Sequence, residues 1–91
     1  MLVLPERLTH ADAPACARML AQSLRSDPPA QVVADAGALQ EFDSSALAVL
    51  LDCRREAMAL GKSFSVARMP PRLRELASVY GVGELLTPAP V

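Results

Sequence analysis

The chain has a single histidine, His10, two cysteines, four glycines, no tryptophan and only three other aromatics, Phe42, Phe64 and Tyr80. Each shortage excludes something. A serine nucleophile would have one imidazole in the whole chain to serve as its base, and no G-x-S-x-G surrounds Ser44. Gly37, Gly61, Gly81 and Gly83 form no phosphate-binding loop. Cys16 and Cys53 stand among apolar residues without CxxC spacing, so buried free thiols are expected rather than a disulfide or a metal site. The acidic residues are dispersed, and Glu6, Asp12 and Asp35 have no spacing that marks a metal cluster. Catalysis and a cofactor are therefore not expected.

Charge and hydropathy exclude more. The net charge of −1 offers no attraction to nucleic acid or to an anionic bilayer, and Arg54-Arg55 and Arg72/Arg74 are the only basic groupings. Three aromatics make no base-stacking platform. No apolar stretch approaches the roughly 20 residues that span a membrane. Pro5, Glu6 and Arg7 interrupt the early apolar run, so it does not read as a signal peptide. A cytoplasmic protein that neither binds nucleic acid nor inserts into a membrane is the expectation.

What is present is a core. At 91 residues and 52% hydrophobic composition, the chain fits one domain, expected over residues 1–86, with 87–91 as a mobile Pro-containing tail. Met1 to Leu4 reads as a strand stopped by Pro5. Asp12 is placed to cap a helix with Pro14 in its first turn, and Cys16, Leu20 and Leu24 give that helix an apolar stripe ending near Ser26, before Asp27-Pro28-Pro29. Gln31 to Asp35 reads as a buried strand and Lys62 to Arg68 as an alternating one, with Phe64 and Val66 on one side. Between them, Ala46, Leu50, Cys53, Ala57 and Leu60 keep a helical period closed by Gly61. Pro70-Pro71 opens a third helix, with Leu73, Leu76, Ala77 and Tyr80 on one face and Gly81 as its stop. Val82 to Leu86 suits a short strand or turn. Strands separated by single helices imply an α/β fold with right-handed parallel crossovers and helices mainly on one face of a small sheet.

One stretch asks for more, Phe42-Asp43-Ser44-Ser45-Ala46-Leu47, where an acid and two hydroxyls stand before the most apolar segment. Taken alone, Asp43 is an N-cap, Ser44 a first-turn hydroxyl, Ser45 a second polar start residue, and Phe42 a staple against Leu47 or an exposed anchor. Tyr80 reads as a rim-of-core aromatic with a wet hydroxyl.

The run Val32-Val33-Ala34-Asp35, a short loop and Asp43-Ser44-Ser45-Ala46-Leu47 leading into a helix resembles the STAS domain family, with Ala46 where many members carry glycine. The closing segments Leu73-Arg74-Glu75-Leu76, Tyr80-Gly81-Val82 and Glu84-Leu85-Leu86 resemble the MlaB-like branch, small subunits of Mla-type phospholipid ABC transport systems. The resemblance implies a STAS-like mixed sheet, here of about four strands because Met1 to Leu4 matches the family's second strand. It also implies no catalysis. In anti-sigma factor antagonists the position of Ser44 is phosphorylated; in the MlaB-like branch it lies at the contact with the ATPase. Two roles follow from the likeness. One is an accessory subunit that binds and steadies an ABC-transporter ATPase, and through it the membrane permease, at the inner membrane. The other is an antagonist of an anti-sigma kinase, switched at Ser44. Asp43, Ser45, Ala46 and Leu47 support the helix start in either case.

Overall fold

The run Val32-Val33-Ala34 suits a strand covered on both faces, yet folding buries Val32 and Ala34, with Val66 beside them, on one face of a parallel sheet and leaves Val33 half-buried. The computed structural model describes residues 2–26 and 30–86. In order along the chain it has β1 (Leu2–Val3), β2 (Arg7–Leu8), α1 (Ala13–Ser26), β3 (Gln31–Asp35), β4 (Glu41–Phe42), α2 (Ser45–Ala59), β5 (Ser63–Ala67) and α3 (Pro71–Val79), then a 3-10 turn over Gly83–Leu85. The main sheet has the order β1-β3-β5, all parallel, with Leu2 opposite Ala34 and Val32 opposite Phe64.

The strand count differs from the sequence expectation. Instead of one mixed sheet of about four strands, there are a three-stranded sheet and a separate β2–β4 pair, and every pairing is parallel. Pro5 explains the division: it has no N–H to donate and ends the first strand. The same two chain segments pair again further on, Arg7 opposite Glu41 and Leu8 opposite Phe42. The Gln40 and Glu41 N–H groups, both donating to the Glu6 carbonyl, hold the break together. Two-residue strands carry no readable period.

One sheet face is covered. Val32, Ala34 and Val66 are buried, Leu2 and Phe64 half-buried. They share a core with Cys16, Leu20 and Leu24 of α1, with Ala46, Leu47, Val49, Leu50, Cys53 and Ala57 of α2, and with Leu73 and Ala77 of α3. On the other face Gln31 and Ser63 are exposed and Val3 is 61% exposed, so the helices do lie mainly on one side. Both cysteines are free and buried.

The helix ends follow local chemistry. Gly61 (φ 74°) and Gly81 (φ 72°) adopt the left-handed conformation that a Cβ would oppose. At each, the next N–H reaches back: Lys62 donates to the Ala57 carbonyl and Val82 to that of Ala77, a Schellman closure. Leu60, on the expected stripe, lies past the last helical residue and is 44% exposed. The start of α1 also corrects the reading. The Asp12 carboxylate does not cap forward; it accepts from the Thr9 N–H (3.1 Å) and hydroxyl (2.9 Å), as the third residue of a capping box does, so Thr9 opens the turn. Val82 to Leu86 forms the 3-10 turn, not a strand, and buries Leu86. The expected Asp27-Pro28-Pro29 stop and the mobile tail lie outside the described residues.

Candidate functional site

Asp43 is the residue on which the site is built. Ser44 already has helical backbone angles (φ −62°, ψ −16°), so the half-in cap position falls to Asp43. Its Oδ1 accepts the Ser45 N–H at 2.8 Å, the bond an N-cap makes to the second helical residue. Its Oδ2 accepts the His10 N–H at 3.0 Å, tying the start of α2 to the loop between β2 and α1. The Ser45 bond, then the His10 bond, holds the Asp43 carboxyl below the ordinary aspartate value.

With Asp43 doing the capping, Ser44 is released from it. It is exposed and makes no side-chain cap bond, while its carbonyl accepts the Leu47 and Ala48 N–H groups. Ser45 is half-buried, and Ala46 and Leu47 point into the core. The five residues of the motif therefore divide by depth, and Ser44 is the one left facing outward beside the cap.

What Ser44 faces is a groove of about 510 Å³, lined by Phe42, Asp43 and Ser44 on one side and by Arg72, Glu75, Leu76, Val79 and Tyr80 of the α3 segment on the other. Phe42 is half-buried against the core, and the Arg72 guanidinium lies over its ring at 5.3 Å from the centroid, within cation–π range. Val79 is 81% exposed and Tyr80 60% exposed. Tyr80 is thus a groove wall and not a core rim. Gly81 turns the chain just after it, so Val82 packs back on the core instead.

The α3 wall escaped the sequence reading, because nothing in residues 71–80 marks contact with a segment thirty positions earlier. The opening Pro70-Pro71 locates the helix but not its neighbour. A second constellation was also missed. Asp35, 7% exposed at the end of β3, accepts from Arg68 Nε at 3.0 Å and from Arg68 Nη2, and from the Gly37 N–H at 2.8 Å. Arg68 holds a left-handed φ of 53°, and a Cβ on Gly37 would come within 2.7 Å of its guanidinium. The arrangement ties the end of β3 to the end of β5. An aspartate ending a buried run and followed by Ala-Gly was the available signal.

Among the described residues no helix is long and apolar enough to cross a membrane. The family model described as Mlab, STAS domain matches residues 1–87, a stretch that contains the whole of this site. No curated protein matches the chain.

Proposed function

This chain belongs to the Mlab STAS domain family, and on that premise we propose that it is a non-catalytic accessory subunit that binds the ATPase of an Mla-type phospholipid ABC transporter. STAS domains are in general non-enzymatic and serve as accessory or antagonist-type partners. In this reading the protein is cytoplasmic and held at the inner membrane through the ATPase and, behind it, the permease. The observation that carries the proposal is Ser44: exposed, without a cap bond, and opening onto a groove with the exposed side chains of Val79 and Tyr80 on its far wall. Small residues at a helix start let a partner backbone approach closely, and covering the exposed Val79 and Tyr80 side chains offsets part of the desolvation of the charged ones.

The test is co-purification of the chain with the ATPase subunit of the same genome's Mla-type system. Ser44→Glu is expected to lose the complex while melting like the wild type, since a carboxylate at a helix start is not itself destabilising. Ser44→Ala is expected to bind nearly as well as the wild type. Full binding by a folded Ser44→Glu protein would move the interface away from the groove. The same exposed hydroxyl favours one rival, an antagonist switched by phosphorylation. A phosphate on Ser44 would add roughly −1.5 to −2 charges beside Asp43. Capture of an anti-sigma kinase, lost when Ser44 is phosphorylated, would establish that rival.

A further inference from the structure

The two charged residues that α3 contributes to the groove are one helical turn apart and do not pair. Arg72 and Glu75 occupy i and i+3, a spacing at which opposite charges on a helix can meet, though with the base first the pairing is the weaker order. Yet no ion pair involves either among the described residues. Arg72 is instead drawn aside onto the Phe42 ring. Its place is also unfavourable for α3 itself, because a cation in the first turn opposes the helix dipole, and that turn holds no acidic residue. The third charge in the groove, Asp43, has both carboxylate oxygens occupied by the Ser45 and His10 N–H groups. Arg72 and Glu75 therefore have no ion-pair partner among the described residues, and the Asp43 carboxylate, hydrogen-bonded but still negative, shares their groove; Leu76 is half-buried and Val79 and Tyr80 are exposed beside them.

We infer that this groove takes a segment of the ATPase that sets a carboxylate against Arg72 and, about 5–6 Å along, a basic side chain against Glu75, with apolar side chains beside them. The inference rests on the ATPase reading and adds to it the polarity and chemistry of the bound segment. A guanidinium over an aromatic face, here 5.3 Å from the ring centroid, spends none of its N–H donors on that contact and can still take a carboxylate bidentately. Glu75 then fixes direction, since a segment docked the other way would oppose like charges at both ends. A negative charge introduced at Ser44 would repel the same carboxylate that Arg72 attracts.

The experiment is calorimetric titration of the purified ATPase subunit with the wild-type chain and with Arg72→Glu, Glu75→Arg and the Arg72→Glu/Glu75→Arg double variant, each melted alongside. Arg72 and Glu75 are exposed, so all are expected to fold. Each single reversal is expected to weaken binding by roughly 30-fold or more. The double variant restores the net charge and is expected to remain weak, because the order of charges is reversed. Replacing the facing acidic residue of the ATPase with Arg is expected to restore affinity to Arg72→Glu. Wild-type affinity in the two single reversals, with Ser44→Glu still defective, would overturn this inference and leave the ATPase reading standing. Recovery in the double variant would show unspecific charge attraction and also overturn it. Failure of the wild type to bind the ATPase at all would remove both. Self-association of the isolated chain that disappears in Arg72→Glu would seat a second copy in the groove in place of the ATPase segment.

Discussion

Asp43 and Ser44 are adjacent in the chain and have opposite duties. Asp43 closes two backbone bonds, to the Ser45 and His10 N–H groups, and so joins two segments. Ser44 closes no cap bond and is exposed. Asp43→Ala is accordingly expected to lower the melting temperature by a few degrees, because the cap and the cross-chain tie are lost together. Ser44→Ala is expected to leave it unchanged within error. Scanning calorimetry of the two variants decides this; a larger loss from Ser44→Ala would make that hydroxyl a structural group and deprive the groove of its free contact. The division between them was half legible in the sequence. An Asp before two serines and an apolar run announces a cap, but the bond to His10, thirty-three residues away, exists only in the folded chain.

Among the elements, α2 carries the most weight. It buries Ala46, Leu47, Val49, Leu50, Cys53 and Ala57, and presents Ser44 from its first turn. A fault in its packing should therefore be felt across the molecule. Leu50 is 0% exposed, and Leu50→Ala is expected to cost roughly 2–5 kcal/mol through lost transfer energy and the cavity left behind. For a domain of this length, with a total of roughly 5–14 kcal/mol, that is a large share. Urea unfolding measures it as a shift in midpoint at constant slope; a loss below about 1 kcal/mol would mean that the neighbours collapse into the space. The period of the α2 stripe was readable from the chain. Val49 escaped the reading, although it stands three residues after Ala46 and four before Cys53 and so borders the same stripe.

For the whole molecule, three satisfied carboxylates set the response to acid. Asp12 is lowered by the Thr9 N–H and then the Thr9 hydroxyl, Asp35 by Arg68 and then the Gly37 N–H, Asp43 by the Ser45 and then the His10 N–H. A carboxyl with a depressed folded value contributes stability above its unfolded value, and loses it as pH falls through the folded one. The melting temperature should therefore hold down to about pH 4 and fall below the ordinary value of 3.8, with a shallower fall in Asp35→Asn. Alkali acts through the two buried thiols, since burial raises Cys16 as well as Cys53. Burial, chiefly, raises Cys53 from 9.0 to about 11, so the unfolded chain ionises first and stability declines across that interval. Melts from pH 3 to 11 test both limbs, and Cys53→Ala should flatten the upper one; a flat profile below the ordinary carboxyl value would show that these bonds do not persist in solution.

What the chain determined by itself was most of what depends on neighbours a few residues apart, the Thr9–Asp12 box excepted. The apolar stripes of α1 and α2, the left-handed stops at Gly61 and Gly81, the alternation in β5 and the polar start at Asp43-Ser44 are local physics, and each stands in the structure near its expected place. Tertiary structure alone decided what depends on distant segments meeting. Arg7 and Leu8 pair with Glu41 and Phe42 because Pro5 breaks the first strand and the chain resumes beside the same neighbour. Arg68 finds Asp35 because β3 and β5 end side by side. Ser44 faces Arg72 and Glu75 because α3 packs Leu73 and Ala77 into the core and turns its charged face to the start of α2. Periodicity shows which face of a helix is buried, but not which segment lies opposite, since that follows from how the chain closes its core.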